Sequence, residues 1–479
     1  MSNYSFTLKV FLASLIMMFS MITMVEMSGA LLSIAQFIFI FYLLFRNKWQ
    51  KALIYHFVFW ACSISVANAS AMFEGNHDLT MYNYCRLELY GPLKFSYIIS
   101  VILFFRARKI VKTPDRESLF FKLYKTMKFL LVSGSILGTI GFITDSNYSI
   151  DGCITYGMYI ALVVMSLYTL LKFDSIELKS VFFSWGKAVL IASVYSVAIL
   201  FALGFRSAYS TQETIVSTDM WYYASILIPG FFVIKERLHC LLAIILLVPL
   251  NLFSAGGKTI LILGIVLLFF AYNCFFIDNT LPLSEQKTRK SLRLLCIIAI
   301  AGVLYSGILS NVSSGELTQN KTNDVLSLFS LNVNEMGRSP AIRMATLMNI
   351  LYNNRYNPIA IMLGNGYGGY FTDELNLFNG LDVWQGGWPE AVCKSGIYPS
   401  GHDTFASVPL VNGLWGLFIL IRIAILYLRS FRKSFLVMAV VPWLLLTFYA
   451  NINYAYIAIF LLYAATFQLD SKQNSQVTI

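Results

Sequence analysis

The sequence predicts an all-α, polytopic membrane protein with about 14 transmembrane helices and one large, partly helical loop on the non-cytoplasmic side. Three observations carry this expectation. The 479 residues are 58% hydrophobic and only 12% charged, with a mean hydropathy of +0.68, which is more apolar surface than one soluble core can hide. Apolar stretches near the roughly 20 residues a spanning helix needs recur from end to end. The connections between them alternate between basic and acidic, as topology requires.

The expected spans run over 8–25, 29–45, 52–72, 92–105, 127–144, 154–171, 182–204, 220–234, 238–254, 259–277, 294–310, 404–428, 434–449 and 452–468. The first resembles a signal peptide but lacks a small-x-small cleavage site, so it is read as a retained helix. The chain divides into helices 1–11 (1–310), a large loop (311–403), helices 12–14 (404–468) and a polar tail (469–479). No internal repeat relates the two halves, which weighs against an inverted-repeat transporter.

Basic residues follow the even-numbered spans: Arg46, Lys48 and Lys51; Arg106, Arg108, Lys109, Lys112, Arg116 and Lys122; Lys172 and Lys179; Lys235 and Arg237; Lys287, Arg289, Lys290 and Arg293; Arg429, Arg432 and Lys433. The odd-numbered connections carry mostly acids, among them Glu26, Glu74, Asp78, Asp145, Asp151, Glu213 and Asp219. Both termini are therefore expected in the cytoplasm, and the formal charge of +11 reports topology rather than a nucleic-acid partner. Lys258, in the tight outer turn 253–258, is the exception to this pattern.

Seven cysteines do not make a disulfide framework in a chain of this size. Cys62, Cys240, Cys274 and Cys296 fall inside apolar runs and read as packing residues. Cys85, Cys153 and Cys393 lie in or beside outer connections, where one bridge is permitted and the pair is left open.

The loop 311–403 is too long for an idle connector. A helix is expected from Ser339 as N-cap and Pro340 at the first helical position to about Asn353, with Arg343 sharing a face with Leu347 and Ile350. A guanidinium near the positive end of a helix dipole attracts phosphate; an ordinary structural arginine, paired with a carboxylate such as Glu335, is the alternative. Lys258, after Gly256 and Gly257 at an outer mouth, reaches a diphosphate at headgroup depth or simply snorkels. His402 is one of four histidines and precedes helix twelve; it suits proton transfer from a sugar hydroxyl, or a helix-entry cap. Asp403 competes for the base role, with capping as its own alternative.

The segment 363–370 is a glycine-rich turn whose backbone is expected close to a ligand. Arg338, Gly364, Gly366, Tyr367, Tyr370, Trp384 and Trp388 make the candidate substrate-binding set, the aromatic members offering flat faces to sugar rings or belonging to an interfacial belt. No metal-binding cluster is visible, and neither metal nor cofactor is expected.

Taken in order, these features resemble the O-antigen polymerase and O-antigen ligase superfamily of bacterial envelope glycosyltransferases. The resemblance runs from about Asn251 to Leu428. It rests on the turn from Ser254 to Lys258, on Arg343 in the outer loop, on the turn from Gly364 to Gly368, and on the segment from His402 to Gly413 and Gly416. Lys258 stands where the family often has arginine, keeping charge without the bidentate fork, and Asp403 where it commonly has asparagine. The resemblance implies a GT-C-like fold in the bacterial inner membrane and a periplasmic loop. It also implies inverting, metal-independent transfer of a glycan from undecaprenyl diphosphate to a lipid-linked repeat. Lys258 and Arg343 would neutralise the leaving diphosphate while His402 activates the acceptor hydroxyl. The number of spans and the looseness of the motifs favour the polymerase over the ligase, whose acceptor is lipid A-core. Membrane lipids and a chain-length regulator are the further partners expected.

Two other classes stand beside this one. A flippase needs a cationic cavity at mid-membrane, for which His56, Lys187 and Arg422 are the candidates. A receptor or scaffold would explain the loop but not the cationic trio.

Overall fold

Among the described residues, helices lie where the sequence is apolar. The computed structural model describes residues 2–23, 26–63, 84–85, 87–90, 93–173, 178–202, 221–253, 338–379, 381, 388, 390–401, 404–431, 438–444 and 457–466. The first part contains α1 (Ser2–Thr23), α2 (Glu26–Phe45), α3 (Trp49–Cys62), α4 (Phe95–Arg108), α5 (Leu119–Thr144), α6 (Ile150–Leu171), α7 (Leu178–Ala202), α8 (Trp221–Val233) and α9 (Arg237–Phe253). After these come α10 (Arg338–Asn353), α11 (Pro358–Leu363), α12 (Glu390–Ser395), α13 (Thr404–Phe431), α14 (Val440–Leu444) and α15 (Ile457–Thr466). The strands are short: β1 (Glu88–Tyr90) pairs with β2 (Leu93–Lys94), and β3 (Phe371–Thr372) with β4 (Ile397–Tyr398), both antiparallel.

Among the described residues, Leu119–Thr144, Gly152–Leu171 and Ala406–Phe431 are long and apolar enough to cross a membrane. Shorter apolar helices cover Tyr4–Ser20, Ala30–Phe45, Tyr223–Val233, Arg237–Leu247 and Ile457–Thr466. The spans expected at 259–277 and 294–310 lie outside the described residues.

Helix ends depart from the apolar boundaries for a physical reason. Hydropathy marks the hydrocarbon, whereas a helix continues until its backbone finds a cap. Helix α5 begins eight residues before its apolar run, where the Ser118 hydroxyl accepts from the Phe121 N–H at 3.2 Å, and it carries Lys122 and Lys125 on its extra turns. Ser149 caps α6 in the same way, accepting from the Gly152 N–H at 3.0 Å.

α1 packs along α7, α6 along both α4 and α5, and α8 against α9 across a turn in which Lys235 takes a positive φ of 66°. Large buried side chains, including Phe57, Trp185, Tyr223 and Phe231, fill the centre. Where α4 and α6 end, two lysines clamp each other's chain. Lys172 donates to the carbonyls of Ile110 and Lys112, and Lys112 donates to that of Phe173 at 3.0 Å. Each ammonium thus satisfies backbone carbonyls of the chain that runs on just past the other helix's end.

Candidate functional site

Helix α10 runs over Arg338–Asn353, so Ser339 and Pro340 lie within it and Ser339 is not its N-cap; its end at Asn353 is as expected. Ala341, Ile342, Ala345, Thr346, Asn349 and Ile350 form its buried face. Arg343 is half-buried on the flank of that face.

The polar residues at the far end of α10 staple the chain that follows. Asn349 Nδ2 donates to Asp373 Oδ1 at 2.7 Å and its Oδ1 accepts from the Leu375 N–H at 3.2 Å. Asp373 in turn accepts from the N–H groups of Leu377 and Phe378, both at 2.9 Å, and Asn353 Oδ1 accepts from the Thr372 N–H at 2.6 Å. At the edge, Arg355 pairs with Glu374 at 2.8 Å and lies over the Tyr352 ring.

These staples hold β3 against β4 above a small core of its own. Phe371, Phe378, Trp388 and Tyr398 pack ring to ring, with Ile342, Ala345 and Ile350 from α10 and Leu410 from α13 in the same cluster. Trp388 Nε1 donates to the Ser400 carbonyl at 3.0 Å, and the Ser407 hydroxyl reaches back to the carbonyl of Gly401 at 3.2 Å. The strand that leads into α13 is therefore anchored just before position 402.

The glycine-rich turn threads between two helices. Helix α13 is broken at Gly413, where φ is 62° and ψ is −170°, a conformation open essentially to glycine alone. The carbonyls of Leu410 and Val411 receive the N–H groups of Asn365 and Gly366 at 2.7 and 3.0 Å, so the break is satisfied by protein rather than water. On its other side the turn meets α5. The Tyr367 N–H donates to the Gly134 carbonyl at 2.9 Å, and a Cβ at Gly366 or Gly138 would fall on backbone atoms of the opposing segment. Asn412 closes the join, giving Nδ2 to the Leu130 carbonyl and to Ser133 Oγ, both at 3.0 Å. An apolar crevice of about 250 Å³ opens beside it, lined by Leu130, Ser133, Leu363, Asn412, Trp415 and Gly416 among others.

Tyr367 is 2% exposed and Trp388 4%, each with its ring packed against protein: one plugs the seam between α5 and the turn, and the other is the centre of the loop's core. The tight approach that requires Gly364 and Gly366 is to α13 and α5. Tyr370 is half-buried and donates to Asp145 Oδ2 at 2.9 Å, beyond the end of α5. Beside it the Tyr148 hydroxyl donates to the Asn365 carbonyl at 2.6 Å; burial, with Asp145 and Tyr370 nearby, pushes this phenol up and keeps it a neutral donor. Cys85, Cys153 and Cys393 are free thiols.

Lys258, Trp384, His402 and Asp403, together with the side chain of Arg338, lie outside the described residues. What the structure joins is the helix bearing Arg343 to the first half of α13, through Ile342, Ala345 and Leu410.

Sequence reasoning named Gly413 as part of the family-like segment without its role as a helix break, and it passed over Asn412 and the glycines 134, 138 and 141, although the spacing of those three carried a signal. Small residues at i, i+4 and i+7 of an apolar run mark a face for close approach, here taken by Tyr367 and Tyr148. No family model, curated protein or solved structure matches this chain.

Proposed function

We propose that the chain is a membrane glycosyltransferase, an O-antigen or related surface-polysaccharide polymerase that takes a growing glycan from undecaprenyl diphosphate and joins it to an incoming lipid-linked repeat. About 14 spans in a GT-C-like arrangement, cytoplasmic termini, residence in the bacterial inner membrane and a periplasmic loop over 311–403 belong to the same proposal. The observation that carries it is the docking of α10 on α13. It sets the helix that bears Arg343 against the segment that follows His402 and Asp403 directly in the chain.

On this reading the acceptor hydroxyl attacks the anomeric carbon, the carbon–oxygen bond to the diphosphate breaks with inversion, and His402 or Asp403 takes the hydroxyl proton. Arg343 and Lys258, with Arg338 near them in sequence, stabilise the charge gathering on the departing diphosphate. The apolar crevice beside Asn412 suits part of a hydrocarbon chain. A carrier gains no support from His56, because its Nδ1 is 2.6 Å from the Tyr84 hydroxyl and its Nε2 2.9 Å from Ser100 Oγ.

The test is to incubate purified protein with lipid-linked repeats, with and without lipid A-core. Chain growth without core is expected, and core-dependent transfer without growth would remove the polymerase reading. Arg343→Ala and His402→Ala are expected to abolish elongation while translocation of single repeats continues; loss of translocation instead would favour a carrier.

A further inference from the structure

Away from this site, a crevice of about 530 Å³ lies between α2 and α4, walled by Ile38, Phe41, Tyr42, Phe45 and Ile102, with Arg106 on its lining. Ile38, Phe41, Tyr42 and Phe45 are exposed. The crevice spans the last two turns of α2 and the last turns of α4, where a second guanidinium, that of Arg46, sits over the Tyr42 ring at 5.6 Å. Arg106 forms no ion pair with a carboxylate among the described residues. Segments 40–52 and 102–114 contain no Asp or Glu, while Lys48, Lys51, Arg108, Lys109 and Lys112 add to the positive charge.

We propose that this crevice binds an anionic phospholipid, a hydrocarbon chain lying along Ile38, Phe41 and Ile102 and the headgroup phosphate between Arg106 and Arg46. Charge complementarity selects the occupant. An apolar wall whose described lining holds no carboxylate, with the guanidiniums of Arg106 on it and of Arg46 beside it, is the complement of a hydrocarbon chain headed by a phosphate. A zwitterionic headgroup would bring its own cation against the same arginines, so a headgroup of net negative charge is preferred. The proposal rests on α2 and α4 being membrane helices and does not depend on the transferase reading.

The experiment places the full chain in nanodiscs containing equal phosphatidylglycerol and phosphatidylcholine of matched chains, then counts the lipids that native mass spectrometry finds retained. Preferential retention of phosphatidylglycerol is expected. The double variant Arg46→Gln, Arg106→Gln should lower that preference roughly tenfold or more, while Arg46→Lys, Arg106→Lys should keep most of it. Ile38→Trp, which fills the crevice, should reduce retention of both lipids. Equal retention of the two lipids by the unaltered protein overturns the proposal without needing any variant to fold. So does a second copy of the chain in the crevice, read as disulfide-linked dimer formed by Phe41→Cys. The Arg46 and Arg106 variants are expected to elongate glycan at the normal rate, and a protein that needs neither detergent nor lipid to stay in solution would fail the membrane reading itself.

Discussion

Asn365 donates its backbone N–H to the carbonyl of Leu410 at 2.7 Å, joining the glycine-rich turn to a helix long and apolar enough to cross a membrane. In an unbroken helix that carbonyl would serve Leu414. The break at Gly413 makes it available, so the loop's glycine-rich turn and the helix kink are two halves of one joint.

Gly413→Ala should therefore cost more than helix propensity alone. A side chain at φ 62° and ψ −170° is strained by about 1–3 kcal/mol, and its Cβ would fall on the Met362 backbone. The expected result is a lower unfolding temperature in detergent. Gly366→Ala, facing the Gly138 backbone, should behave alike; an unchanged transition for both would contradict the joint.

Asn412→Leu removes two interhelical hydrogen bonds and leaves the Leu130 carbonyl with one bond fewer. The expected loss is about 1–2 kcal/mol, part of it shared with Ser133. A double-mutant cycle with Ser133→Ala measures that share, and strict additivity would show that the 3.0 Å contact with Ser133 is energetically idle.

In the loop's own core, Trp388→Ala should destabilise by about 3–5 kcal/mol, as for other buried aromatics. Limited proteolysis between 371 and 398 reads this directly. A variant that resists cleavage like the parent yet binds substrate more weakly would return Trp388 to the role of a sugar platform.

Asn349→Leu strands the Asp373 carboxylate without its side-chain amide donor, with an expected cost of about 1.5–3 kcal/mol. Because the staple acts on α10, elongation by this variant should fall together with stability. Arg343→Lys is the contrasting case, since it keeps the fold's apolar contacts and should lose activity without losing stability.

Cys393 provides a chemical check. Burial, with the Glu390 carboxylate nearby, pushes its thiol above the ordinary range, so less thiolate is present at a given pH. Alkylation by a membrane-impermeant maleimide should be slower than for an exposed cysteine near pH 7.5 and should keep rising at pH values where an ordinary thiol has levelled off. Labelling from the outer face is expected. A non-reducing gel that reveals a bridge to Cys85 or Cys153 would contradict the free thiols of the structure.

The sequence by itself determined where helices form, because hydrocarbon solvent demands long apolar runs whose backbones satisfy themselves; Ile150–Leu171 and Arg237–Phe253 lie within four residues of their expected bounds. It also marked Gly364–Tyr370 as a special turn and set Arg343 on one helix face with Leu347 and Ile350. What those features touch was decided only by tertiary structure. A positive φ and a missing Cβ announce that something comes close, but whether it is a ligand or another stretch of the same chain depends on contacts hundreds of residues apart. For Gly366 the neighbour is Gly138, and for Trp388 it is the aromatic core that holds α10 on α13.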